Sequence, residues 1–381
     1  MANVVFFFGA GASAPFDIPT MQGMVGEFEK TLGQEGTEAE QELYRRVVDF
    51  LAEVLGRPTD LEAVFTVIDS IINWSPDRLG VASIFHGWRI ASIHYGEGEA
   101  PRVALQDFIP PTEEETKNAN SLEAKFESFV KDACQFRKGQ SARIESVYRD
   151  FFQNVGNASG GYQPRGPQGQ HPYADWPMFT TNYDAVLEHY WLDHVRVPLN
   201  TGFSYDSTAR MELSNPQLFS PQMGAGGLRL FKLHGSVTWL MNEQWGLTEQ
   251  RVPPQGMRTY TGGKFLGQVM LYPIEEKNLY TEPYMTMYLM LNCELQQCPR
   301  WVTVGYSFGD RIVRDICVRN GNSGTILVIV HPRAQEVAKR LEGFKGIIRP
   351  IEAHFGRDRY QAVNTTVGNA LRGGAYDLRI P

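Results

Sequence analysis

Residues 3–8, Asn-Val-Val-Phe-Phe-Phe, run without a break into Gly9-Ala10-Gly11-Ala12-Ser13. A short, continuously apolar run is the kind of strand that is buried on both faces of a parallel sheet. Such a strand needs neighbours on both edges and helices above and below. A glycine-rich turn at its carboxyl end points backbone N–H groups and a helix N-terminus at a pyrophosphate-like anion. Gly9 and Gly11 permit close approach there, and Ser13 offers a hydroxyl. Taken alone the turn is weakly diagnostic, because an ordinary strand–helix connection has the same composition. Pro15 and Pro19 delay the following helix to Thr20 or Met21.

Beyond residue 21 the pattern changes to helical spacing, over 22–32, 39–55, 60–73 and 121–136, with Asp60 as an N-cap candidate. Residues 96–120, rich in Pro, Glu and Asn, predict a loop. Residues 156–173 are rich in Gly, Pro and Gln and predict a flexible linker. Strand-like runs return at 176–180, 228–233, 266–272, 300–304 and 325–330. Helical patterns fall between several of them, at 184–194, 284–297, 310–318 and 333–342, with a last one near 357–371. Strands alternating with helices predict an α/β fold: a Rossmann-type parallel sheet flanked by helices, with a large helical insertion after the first strand. The expected organisation is a sheet domain from 1–20 and 174–381, a helical subdomain over 21–155, and the linker over 156–173.

The composition is that of a globular chain, with 42% hydrophobic and 21% charged residues. A net charge of −7 and the lack of any dense Lys/Arg run predict no direct nucleic-acid binding. The runs Glu113–Glu115 and Glu275–Glu276 are expected to be solvated surface. The four cysteines are Cys134, Cys293, Cys298 and Cys317. They make neither a disulfide framework nor the two pairs of soft ligands that a structural zinc needs, so no zinc or other metal is expected. No apolar stretch reaches membrane-spanning length and no secretion signal is visible. The expected compartment is the cytoplasm.

Three further motifs follow apolar strands. Phe179-Thr180-Thr181-Asn182-Tyr183-Asp184 places a carboxamide where ligands of open α/β sheets bind, and a carboxamide can both donate to and accept from a ribose hydroxyl or a water. Asn182 and Asp184 are also both favoured helix N-caps. Lys232-Leu233-His234-Gly235-Ser236 places a histidine at a strand end. Its ring titrates near neutral pH and suits general-base work; the alternative is a ring held by the backbone. Val304-Gly305-Tyr306-Ser307-Phe308-Gly309-Asp310 opens a helix and suits an adenine-ribose contact. His331 also follows a strand. Convergence of four strand-end signals on one edge of one sheet is stronger than any one of them.

At these residues the chain resembles the sirtuin superfamily. GAGAS followed by Ile18-Pro19 is similar to the family's GAGxSxxxGIP phosphate loop. TTNYD is similar to its QNxD block, KLHGS to its LHG block, VGYSF to its GTSL block, and LVIVHP to its late adenosine-contacting strand end. The blocks keep the family's order from residue 4 to about 332. There are departures. The zinc ribbon of the protein deacylases is missing, Asp17 stands where the family has Gly, Thr20-Met21-Gln22 replaces Asp-Phe-Arg, and His331 stands where many members have Asn. Asn182 and His234 lie 52 positions apart, a longer separation than in deacylases, with MGAGG at 223–227 between them.

The resemblance implies NAD as substrate. Gly9, Ala10, Gly11, Ser13, Thr180, Asn182, Gly305, Ser307 and His331 would bind it, and Asn182, His234 and Asp184 would be catalytic. The missing ribbon and the helical insertion resemble the sirtuin-like NAD hydrolases of prokaryotic anti-phage defence, in particular the subunit that works with a HerA-type ATPase. This implies cleavage of the nicotinamide–ribose bond, control by assembly or a partner, and a homo-oligomer. Three alternatives compete. A protein deacylase would need a peptide groove. A dehydrogenase would show a second strand ending in an acidic residue about 20 residues after the glycine turn, and helical sequence stands there instead. A non-catalytic sensor of NAD or ADP-ribose would use the same residues.

Overall fold

The computed structural model describes residues 4–55, 61–74, 110–135, 138–159, 176–196, 199–206, 211–214, 228–242, 247–249, 265–270 and 282–356, with 367, 370 and 371. Asp60, MGAGG, Glu275–Glu276, residues 96–109 and 160–173, and most of the expected last helix lie outside them.

Twelve strands are described: β1 Val5–Phe8, β2 Pro177–Thr180, β3 Leu199–Asn200, β4 Phe203–Asp206, β5 Met211–Ser214, β6 Leu228–Lys232, β7 Gly235–Asn242, β8 Leu247–Glu249, β9 Phe265–Met270, β10 Arg300–Val304, β11 Ile326–His331 and β12 Ile347–Glu352. Seven form one sheet in the order β12-β11-β10-β1-β2-β6-β3, every pair parallel. This is the expected Rossmann-type α/β fold. β1 lies near the middle and all four of its residues are buried, as its unbroken apolar run requires. From β1 the chain adds β2 and β6 on one edge and later β10 and β11 on the other. The carboxyl end of β1 is therefore the switch point of the sheet, where open α/β folds bind ligands.

The alternating side chains of β1 divide its contacts. Phe6 meets Phe152 edge-on with centroids 5.6 Å apart, and Phe8 meets Tyr148 at 6.0 Å, both on the helix Ser141–Ser159. Phe7 instead stacks on Phe179 of β2 at 5.5 Å. By compactness the chain falls into one unit of 1–20, 134–270 and 278–381 and a second of 21–133 and 271–277. The helix Ser141–Ser159, inside the expected helical block of 21–155, thus packs as part of the sheet unit.

The run expected at 266–272 forms β9, but outside the parallel sheet. It pairs antiparallel with β7 in a second sheet of order β4-β5-β8-β7-β9. Apolar content marked it as a strand without revealing its partner.

The second unit holds the helices Met21–Glu35, Glu38–Leu55, Leu61–Ile72 and Glu113–Ala133. Phe65 stacks on Phe126 at 3.6 Å, and Phe28 meets Phe126 edge-on at 5.6 Å. The expected loop over 96–120 is corrected at its end, because a helix already starts at Glu113. Thr112 and Glu115 make a capping box: each backbone N–H donates to the other's side chain, both at 3.1 Å. Glu115 is accordingly buried rather than solvated. Among the described residues, no helix is long and apolar enough to cross a membrane.

Candidate functional site

The ends of the central strands are stitched together. Gly9 N–H donates to Val304 O (3.0 Å), Gly305 N–H to Val330 O (2.9 Å), Thr181 N–H to Phe8 O (3.3 Å) and Leu233 N–H to Thr180 O (2.9 Å). The four sequence motifs therefore share one edge of one sheet.

The glycine turn is tighter than a phosphate cradle requires. It folds as two short 3-10 turns, Ala10–Ala12 and Ala14–Phe16. The N–H groups of Gly9, Gly11, Ala12 and Ser13 all donate to backbone carbonyls, and among the described residues only that of Ala10 within Gly9–Ser13 makes no such bond. The glycines are needed for the neighbouring loop. A Cβ on Gly9 would lie 2.6 Å from Gly305 O, and one on Gly305, at φ +60°, 2.3 Å from Ala12 N. Asp17, where the resemblance expects Gly, has φ 61°, the left-handed region that Asp tolerates better than most residues.

Asn182 closes over this turn. Its Nδ2 donates to Gly9 O at 3.0 Å and Ser13 Oγ at 2.9 Å. A carbonyl oxygen only accepts, so the amide nitrogen must face Gly9. Thr180 Oγ1 donates to Phe8 O and accepts Asn182 N–H, both at 3.0 Å, which sets the turn. Among the described residues, Asn182 Oδ1 has no hydrogen-bond partner. Half-buried beside Ser13, it presents an acceptor at the strand ends.

Asp184 is used differently. Its Oδ1 accepts Val186 N–H at 3.0 Å, two residues on, just ahead of the helix Val186–His189 whose N-cap is Ala185, so the carboxylate is engaged by the local backbone. Lys232, buried at the end of β6, donates to the Asp184 carbonyl and to Glu188 Oε1 at 2.8 Å. Burial pushes the Glu188 carboxyl up, against the pull of Lys232.

His234 sits in the turn between β6 and β7, followed by Gly235 at φ 83°. Ser236 Oγ donates to Tyr183 O at 3.2 Å and Val237 N–H donates to the same carbonyl at 3.0 Å, so the HGS turn is bonded to the TTNYD loop. His234 Nε2 lies 2.8 Å from Asp310 Oδ2, with both side chains more than nine-tenths buried. The other oxygen, Asp310 Oδ1, accepts Ile312 N–H at 2.9 Å and Val313 N–H at 3.2 Å, capping the helix Arg311–Asn320. Asp310 is the residue that sequence reasoning missed. It ends the VGYSFGD motif, but only the fold shows that a residue 76 positions away faces His234. Phe308, buried at φ 55°, turns the chain between Tyr306 and Asp310.

Ser307 and His331 have bonded partners of their own. The Ser307 carbonyl accepts from Arg340 at 3.2 Å, and His331 Nδ1 accepts Arg333 N–H at 3.0 Å. Burial, then Arg333 and Arg340, push the His331 pKa below the ordinary histidine value. Among the described residues, no hydrogen bond ties either of them to Asn182 or His234. No group of three or more His, Cys, Asp or Glu side chains among the described residues is placed to hold a metal ion.

Residues 177–344 match the family model of the SIR2-like domain. That span includes the TTNYD, HGS and VGYSFGD segments and leaves the glycine turn outside. No curated protein matches the chain. Among solved structures, a triple mutant of a Sir2 homologue in complex with 2'-O-acetyl ADP ribose is similar at 12% identity, over 97% of this chain and 92% of that one, with a TM-score of 0.36. A Sir2 enzyme structure is similar at 14% identity, over 97% and 93% of the two chains, with a TM-score of 0.34. Neither likeness bears on the chemistry of the site.

Proposed function

We propose that the site hydrolyses NAD at the nicotinamide–ribose bond, giving nicotinamide and ADP-ribose. The observation that carries this is the bonded circuit at the sheet's switch point: Ser13 to Asn182, the loop of Asn182 to the HGS turn, and His234 to Asp310.

Each member suits the reaction. Nicotinamide leaves as a neutral base from a cationic substrate, so the barrier depends on positioning and on stabilising an oxocarbenium-like ribose. Asn182 Oδ1 accepts from a ribose hydroxyl or from the attacking water. Asp310 accepts the Nε2 proton of His234 and fixes the ring, which makes Nδ1 the basic nitrogen and stabilises the imidazolium formed when it takes a proton. The Ala10 N–H and the strand-end loops at Gly305 face the phosphates and the adenosine half. Depletion of NAD in anti-phage defence, with a homo-oligomer or a HerA-type ATPase controlling it, extends this reading through the motif resemblance.

The test is chromatographic detection of nicotinamide and ADP-ribose from purified protein with NAD, alone and with the HerA-type partner. Release by the wild type and none by His234→Ala or Asn182→Ala supports hydrolysis. Stoichiometric NAD binding with no release under either condition overturns it in favour of a sensor.

A further inference from the structure

A pair of histidines outside this site has no part in the cleavage of NAD. His189 ends the helix Val186–His189, and the chain continues as a π-helix over Tyr190–Val195. In an α-helix, side chains five apart diverge by about 140°. The wider π turn, bonded i→i+5, brings them to one side. His189 Nε2 and His194 Nε2 accordingly stand 3.3 Å apart, with ring planes at 81°. Ser141 Oγ, at the start of the helix Ser141–Ser159, is 2.9 Å from the first nitrogen and 3.1 Å from the second.

Each ring has a carboxylate at its other nitrogen. Asp193 Oδ2 is 2.6 Å from His189 Nδ1, and Glu145 Oε2 is 3.4 Å from His194 Nδ1. The bond to Asp193 keeps the His189 proton on Nδ1 and turns its Nε2 lone pair inward. Both Nε2 atoms and the Ser141 hydroxyl thus converge on one point, within hydrogen-bonding distance of one another. Metal–nitrogen bonds of about 2.0–2.1 Å in tetrahedral geometry place two ligand nitrogens about 3.3–3.4 Å apart, which matches the observed separation. π turns are rare and concentrate at functional sites.

We propose that His189, His194 and Ser141 form a binding site for a first-row transition dication of the Zn2+ or Ni2+ type, with Asp193 and Glu145 orienting the two imidazoles. Imidazole suits such ions, and the two carboxylates balance the charge. The His189 side chain is 3% exposed and that of His194 18%, so the His194 side is the one from which water would complete the coordination. A hydroxyl is a weaker third donor than an imidazole or thiolate, so the site binds reversibly. The bound ion ties the start of the helix Ser141–Ser159, which packs on β1, to the helix that follows the Asn182 loop.

The test is titration of metal-stripped full-length protein with Co2+, read by visible ligand-field absorption. A saturable one-to-one signal displaced by Zn2+ is expected. Its affinity falls on the order of tenfold or more in His194→Ala, and about 10- to 100-fold in Asp193→Asn, where only the orienting carboxylate changes. It is unchanged in His234→Ala. No ligand-field signal, or one that survives undiminished in both His194→Ala and Asp193→Asn, overturns the site and leaves the gap to a proton shared between the rings. Should near-UV circular dichroism show His194→Ala misfolded, Asp193→Asn and Ser141→Ala, both at partly exposed positions, decide the matter.

Discussion

Asp310 serves two elements with two oxygens. Oδ1 caps the helix Arg311–Asn320 and Oδ2 faces His234. Asn is as good an N-cap as Asp but carries no charge. Asp310→Asn should therefore leave the melting temperature nearly unchanged, while nicotinamide release falls on the order of 100-fold, within the range general-base catalysis supplies. Asp310→Ala should lose the cap as well, at a cost of about 1 kcal/mol. Kinetics and thermal melts on the same two variants separate these effects. Gly305 offers a purely steric test. Its φ of +60° and the 2.3 Å approach of a built Cβ to Ala12 N leave no room for a side chain. Gly305→Ala should cost more than about 2 kcal/mol in denaturant unfolding.

At the scale of elements, helix starts are governed by side chains three apart. Thr37 N–H donates to Glu40 Oε2 at 2.7 Å and Glu40 N–H to Thr37 Oγ1 at 3.3 Å, a capping box at the head of the helix Glu38–Leu55. Burial alone would raise the Glu40 pKa. Bonds from Ser121, Lys125 and Thr37 outweigh it and hold the carboxyl at about 2, below the usual 4.5. A lowered folded-state pKa stabilises only while the unfolded chain would ionise less readily. The Glu40 contribution is thus whole above pH 4.5 and disappears as the pH falls towards 2. Melts of wild type and Glu40→Gln should differ at neutral pH and converge near pH 2; a gap that persists there would contradict the assignment. Thr112→Ala should likewise cost the helix Glu113–Ala133 about 1 kcal/mol.

Over the whole molecule, each unit has its own aromatic core. Phe6 is fully buried in the sheet unit and Phe28 in the helical one. Replacing a buried Phe by Ala costs about 3–5 kcal/mol. Hydrogen-exchange mass spectrometry should show Phe6→Ala lowering protection in β1, β2 and β10, and Phe28→Ala lowering it across the helices of 21–133.

What was legible from residues alone reflects local physics. β1 is a continuous apolar run and β2, β6, β10 and β11 are predominantly apolar because the sheet buries them on both faces, and the loops after them hold Asn182 and His234 because parallel strands end on one edge. β12 leaves no such signal, since this edge strand is largely half-exposed and contains Pro350. Glu115 reads as surface because a capping carboxylate and a solvated one look alike in sequence. Tertiary structure alone decided three matters: the antiparallel pairing of β9, the bond from Asp310 to His234, and the meeting of His189, His194 and Ser141. Pairing and long-range contact depend on where the chain returns in space, which no local period or composition records.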